Sequence, residues 1–295
     1  MIRFRHCAAA LAACALVFGA VITATAQIPY FMNLASDPGL ADNSWGVTNA
    51  GTWAWEGATG SYPDSYGLTM ARGGASEYTF ASTTLSGLSH AAGSNFYIST
   101  LLEGMSNTSP TGVNTDVGLR FLSDTVNTNT NANAFVVDIN IGANAGRVRV
   151  VNYVNGTSTV YPSGTQGDQF PIGTFNTSDT YLLAASGSYN ASDQLTLAVE
   201  ALDENHLGVS GYGLPWSTVT TNASTNGTGG SSVTFSAPSN AQDNFGFYMS
   251  SSSGGASTYT TNFGSLTVTP EPSTCVLLGV GAVCLAGTAW RRRRR

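Results

Sequence analysis

From residue 30 to residue 268 the sequence nowhere sustains the three- and four-residue apolar spacing that gives a helix a buried face. Short runs rich in Val, Thr, Tyr, Phe and Leu take its place, broken repeatedly by Gly, Asn, Ser or Pro. Such a chain buries apolar side chains by pairing strands into sheets and packing one sheet on another, so the expected fold is all-β, a two-sheet β-sandwich. Strands are predicted over residues 52–56, 77–85, 95–103, 117–122, 135–141, 147–154, 181–186, 194–202, 245–250 and 262–269. Asn155-Gly156, between 147–154 and a run at 157–161, can supply the two positive φ values of a type I′ turn and predicts a hairpin. Leu195, Leu197 and Val199 alternate with Thr196, Ala198 and Glu200, and Phe245, Phe247 and Met249 with Gly246 and Tyr248. Each set is expected to give its strand one core face. A β-helix would repeat every 20 to 25 residues or so, and no such period is present.

The two ends differ from this body. Arg3, Arg5 and His6 precede an apolar run over 8–21, and Ala24-Thr25-Ala26 offers small residues for cleavage before Gln27. Residues 1–26 therefore read as a signal peptide. Leu11-Ala12-Ala13-Cys14 fits a lipoprotein cleavage pattern, but the apolar run continues well past Cys14, which favours the later site. At the other end, Pro270-Glu271-Pro272 is followed by an apolar run over 275–290 and by five arginines at 291–295. Sixteen helical residues span about 24 Å, short of the roughly 30 Å hydrocarbon core. The arginine run is expected to stay cytoplasmic, holding the body outside and the 275–290 helix in the membrane.

This arrangement resembles the PEP-CTERM sorting signal, in which Pro-Glu-Pro, a short transmembrane stretch and a basic terminus are read by an exosortase, a membrane-bound cysteine transpeptidase. The resemblance implies that 270–295 is a sorting segment, with Pro270, Glu271 and Pro272 as its motif, and that 27–269 is the exported body. It implies an exosortase as partner, membrane anchoring through the tail before processing, and a cell-surface or extracellular destination afterwards. Within the body, the runs 96–103, 117–121, 135–141, 179–183 and 193–197 resemble successive strands of concanavalin A-like lectin and laminin-G jelly rolls. That likeness implies a fold shared by sugar-binding lectins, glycosidases and adhesive modules, and does not choose among them.

Composition narrows the chemistry. The body has no lysine, and Arg72, Arg120, Arg147 and Arg149 stand against sixteen carboxylates, a formal charge of −12. No basic stripe exists to neutralise phosphates, which excludes nucleic acid as a partner. Cys7, Cys14, Cys275 and Cys284 all lie in the apolar end segments, so the body holds no disulfide, zinc thiolate or thiol nucleophile.

No catalytic constellation stands out, and the body is expected to be non-enzymatic and without a cofactor. A retaining glycosidase needs carboxylates about 5 to 5.5 Å apart. In Glu200-Ala201-Leu202-Asp203-Glu204, Glu200 and Glu204 could share a strand face, yet Asp203 and Glu204 read as opening a loop at Asn205 and His206. His90 and His206 lack a G-x-S-x-G partner and read as surface histidines. Trp53 and Trp55, two apart on one strand face, suit stacking on sugar rings, but filling the core is the favoured reading, since large aromatics dominate core burial. Trp216, after Pro215, is open to both readings. Asn127, Asn129, Asn131 and Asn133 form a polar loop with one nearby carboxylate, Asp124, too few for an evident calcium cage, and the metal question stays open. Arg147 and Arg149 share a face and could either grip an acidic polysaccharide or balance the acidic body. The expectation is an exported surface protein whose sandwich binds matrix polysaccharide. The alternatives are a secreted carbohydrate-active enzyme and a purely structural envelope component.

Overall fold

A computed structural model describes the backbone of residues 30–32, 46–48, 51–58, 66–72, 78–84, 92–107, 115–124, 133–142, 145–163, 169–221, 231–236, 244–251 and 259–271. Side chains are described from residue 92 onward within those ranges, except at 107, 251, 259, 270 and 271. The strands in chain order are β1 (Tyr30–Met32), β2 (Gly46–Thr48), β3 (Gly51–Ala58), β4 (Tyr66–Arg72), β5 (Tyr78–Thr84), β6 (Asn95–Asn107), β7 (Thr115–Ser123), β8 (Ala134–Asn140) and β9 (Arg147–Val154). They continue with β10 (Thr157–Tyr161), β11 (Phe170–Pro171), β12 (Tyr181–Tyr189), β13 (Gln194–Asp203), β14 (Leu214–Thr218), β15 (Thr234–Ser236), β16 (Asn244–Ser251), β17 (Tyr259–Phe263) and β18 (Leu266–Glu271). A single 3-10 turn, Glu204–His206, is the helical element among the described residues.

The protein is all-β, built from two antiparallel sheets. The larger orders its strands β14-β13-β12-β6-β17-β4-β3, with β18 on β6, β1 on β18 and β15 on β13. The smaller runs β10-β9-β8-β7-β16-β5-β2, with β11 on β9. The long β6 takes β12 along one edge and, along the other, β18 beside Asn95 to Ser99 and β17 beside Leu102 to Asn107. Between those two strands the amide of Gly264 donates to the Leu101 carbonyl at 2.8 Å, carrying the pairing across the break.

The core lies between the sheets, where alternation puts every second residue. Phe96, Ile98 and Leu102 of β6 and Leu195, Leu197 and Val199 of β13 meet Val117, Leu119 and Phe121 of β7 and Phe245, Phe247 and Met249 of β16. Ring pairs join the layers: Phe96 to Phe121 at 5.9 Å and Phe247 to Phe263 at 4.9 Å between centroids. Asn155 and Gly156 take φ of 49° and 77°, and Thr157 pairs with Val154, so the hairpin forms as its sequence dictates.

At the centre of the smaller sheet burial extends to the outer face as well as the core face. β7 and β8 are buried on both faces, and Tyr248 of β16 is buried with Val136 and Val151 on the side away from the main core. Residues 1–26, where a signal peptide is expected, the 275–290 run and the arginine tail lie outside the described residues. Among the described residues no helix is long and apolar enough to cross a membrane.

Candidate functional site

Along β13, odd positions face the core, which turns Thr196, Ala198, Glu200 and Leu202 onto the outer face of the larger sheet. On β12 that face carries Ala184 and Ser186, and on β6 Tyr97 and Ser99, since their chain neighbours Phe96, Ile98, Leu183 and Ala185 all join the core. Register aligns Tyr97 with Ser186 and Ala198, and Ser99 with Ala184 and Glu200. At the sheet edge, Ala201 pairs with Leu214 and Val199 with Ser217, so Pro215 and Trp216 together oppose Glu200 in a bulge.

A bulge re-aims the side chain it carries. Trp216 is 45% exposed, and its ring centroid lies 6.1 Å from that of Tyr97 at an interplanar angle of 57°. The strands bearing these rings are three apart, about 14 Å at the usual spacing of roughly 4.8 Å. The indole and phenol therefore lean toward each other over β12 and β13, across positions occupied by Ala184, Ser186 and Ala198. Larger residues there would separate them.

Carboxylates border this aromatic ledge. Burial, then the neighbouring Glu204, pushes Glu200 above the usual glutamate range, and burial followed by Asp203 does the same for Glu204. Tyr97 is raised chiefly by burial, with Glu200 and Glu204 adding to it against a hydrogen bond with Ser99. β13 ends at Asp203, and Glu204 opens the 3-10 turn, as its sequence context indicated, and does not share the strand of Glu200.

His206 is not a free surface histidine. Its Nδ1 lies 3.0 Å from Asp203 Oδ2 and 3.6 Å from Asp179 Oδ2, and its ring stacks on Tyr212 at 3.9 Å. Asp203 also caps the turn, its Oδ1 accepting from the Asn205 amide at 3.0 Å. The three groups bring potential metal-ligand atoms within 4.8 Å of one another, a meeting of residues 27 positions apart in the chain that sequence reading did not find.

The outer face of the smaller sheet holds a second polar constellation. Asp116 of β7 and Asp138 of β8 both take hydrogen bonds from Arg149 of β9, at 2.5 Å from Nη2 and 2.7 Å from Nε. Asn140 donates to Asp116 at 2.8 Å, and Ser250 at 3.2 Å. Burial, with the Asp116 charge, pushes Asp138 up to about 7 against the pull of Arg149. Burial alone would lower Arg149, but Asp138 and Asp116 outweigh it and hold it well above its ordinary value. Arg149 is thus engaged within the fold and is not offered to an acidic polymer. Asn133 is engaged as well: its Nδ2 donates to Asp124 Oδ2 at 2.7 Å, and its Oδ1 accepts from the Asn155 amide at the hairpin turn.

Trp53 and Trp55 lie on one face of β3, at the far edge of the larger sheet, in register with Met70 and Leu68 of β4. Pro270 and Glu271 end β18 opposite Phe96 and Asn95 of β6. β1 accompanies β18 only as far as Val268, and a proline without an N–H suits the strand edge beyond it. Pro272, His90, Asn127, Asn129 and Asn131 lie outside the described residues.

Residues 268–294 match the PEP-CTERM protein-sorting motif. No curated protein matches the chain. Among solved structures, lectin II from Ulex europaeus is similar at 8% identity over 84% of this chain and 100% of that one, with a TM-score of 0.43. Peanut lectin is similar at 12% identity over 83% and 98%, TM-score 0.41. A carbohydrate binding module from Bacillus subtilis is similar at 15% identity over 75% and 97%, TM-score 0.37.

Proposed function

We propose that this chain is an exported bacterial surface protein, handled by an exosortase-type transpeptidase, whose β-sandwich binds polysaccharide without cleaving it. Its C-terminal sorting motif supports the first half of that reading. The observation that carries the second is Trp216, a large aromatic left 45% exposed beside Tyr97 on the outer face of the larger sheet. Exposed aromatic faces stack on the apolar faces of sugar rings, and a shallow ledge suits a polymer better than a small closed ligand.

Two features support a non-catalytic sandwich. Asp116 and Asp138 are buried and both bonded to Arg149, so neither carboxylate is placed to meet a substrate. Glu200 and Glu204 stand on different elements, one on a strand and one in a turn.

The test has two arms. Mass spectrometry of the mature surface protein is expected to find a C-terminus lacking Arg295, and replacing Pro270, Glu271 and Pro272 by alanine is expected to change both product size and location. An intact Arg295 on the surface form refutes the sorting half. On a panel of polysaccharides the protein is expected to bind without releasing reducing sugar. Sugar release abolished by Glu200→Gln would establish an enzyme instead, and binding to no polymer would leave a structural role.

A further inference from the structure

Resting on that glycan-binding reading, we infer that the ledge selects polysaccharides bearing free amino groups. Trp216 and Tyr97 stack on the sugar, and the Glu200 and Glu204 carboxylates hold its ammonium. Neither carboxylate makes a hydrogen bond or ion pair with any described residue, although both glutamates are half-buried. The charges they feel from neighbours are negative: Glu204 acts on Glu200, and Asp203 on Glu204.

The described arginine side chains cannot relieve this repulsion, because Arg120, Arg147 and Arg149 all stand on β7 and β9 of the other sheet. Among the described residues the acidity is thus uncompensated beside an exposed indole, which itself attracts cations over its face. Charge complementarity selects the occupant. A uronic-acid polymer would add negative charge to an acidic ledge. A neutral polymer could stack but would leave the two carboxylates opposed. An amino sugar supplies three N–H donors and a positive charge on the same ring that stacks. The attraction should be strong for a surface site, since the carboxylates are partly withdrawn from water, and should weaken as salt rises.

The experiment uses the full chain in non-ionic detergent, titrated calorimetrically with hexasaccharides of glucosamine, of N-acetylglucosamine and of a uronic acid, and with hexalysine. Glucosamine hexasaccharide is expected to bind at least tenfold more tightly than its N-acetylated form, and the uronate not measurably. Glu200→Gln with Glu204→Gln should bring the amino form down to the N-acetyl level, whereas Trp216→Ala should remove both. If Trp216→Ala does not fold, the two isosteric charge variants still decide the matter. Equal affinity for amino and N-acetyl forms overturns the inference while leaving the glycan-binding reading standing. Hexalysine binding as tightly as the amino sugar overturns it by revealing a general cation patch. Binding of no sugar, or sugar binding indifferent to Trp216→Ala, overturns this site for both readings.

Discussion

Replacing Asp138 by asparagine tests whether the buried cluster on the smaller sheet carries one negative charge too many. Two carboxylates face one guanidinium there, with Asp138 fully buried and its carboxyl pushed up to about 7. In the unfolded chain the same group titrates near 3.9, or about 3 units lower. Below about pH 3.9 both states hold the proton and the group contributes no pH dependence. As pH rises from there to about 7, the folded state keeps a proton that the unfolded state has lost, so stability falls by about 1.4 kcal/mol per pH unit. Between pH 5 and pH 8 this amounts to about 3 kcal/mol, and the loss is complete once pH has passed the folded value.

The Asp138→Asn side chain has no such titration, though it retains an acceptor for Arg149 Nε and forfeits only the charge assistance. For a body of about 240 residues, 1 kcal/mol moves the melting temperature by about 2 to 4 °C. The wild-type midpoint is therefore expected to fall by about 6 to 12 °C more than that of Asp138→Asn between pH 5 and pH 8, measured by circular dichroism at matched ionic strength. The raised carboxylates of the other sheet, Glu200 and Glu204, are common to both proteins and largely cancel in the difference, while Asp116, which shares Arg149 with Asp138, belongs to the effect being measured. If the variant instead loses more stability than the wild type between pH 5 and pH 8, Arg149 stabilises the ionised carboxylate by more than burial costs it, and the reasoning is wrong.

Two substitutions probe the backbone. At Gly118, in register with Asp138, an added Cβ would lie 2.1 Å from the Val137 carbonyl oxygen, so Gly118→Ala must push β7 and β8 apart. Its expected cost is about 1 to 3 kcal/mol in chemical denaturation, with an unchanged midpoint as the refuting result. Gly156→Ala places a side chain at φ 77° in the hairpin turn, and should cost about 1 to 2 kcal/mol without unfolding the protein at room temperature. A neutral result there would show that the turn readily adopts another form.

The sequence determined whatever depends on neighbours along the chain. Alternation on β13 placed Leu195, Leu197 and Val199 in the core, because strand geometry sends successive side chains to opposite faces whatever the partner strand. Asn155-Gly156 determined its own turn for a similar reason, the required φ values being local. The −12 body, the cysteines confined to the end segments and the Pro-Glu-Pro tail are properties of composition and order alone.

What only the tertiary structure decided is which distant residues share a face. Asp116, Asp138 and Arg149 come from three strands, and their meeting depends on register, which no single strand encodes. Burial of Tyr248 away from the main core likewise follows from β16 lying inside the smaller sheet, a fact of topology. Trp216 shows the limit most plainly. Its exposure and its approach to Tyr97 depend on a bulge against Glu200 and on small residues on the two intervening strands, so the fold turns outward a tryptophan whose place the sequence left undecided.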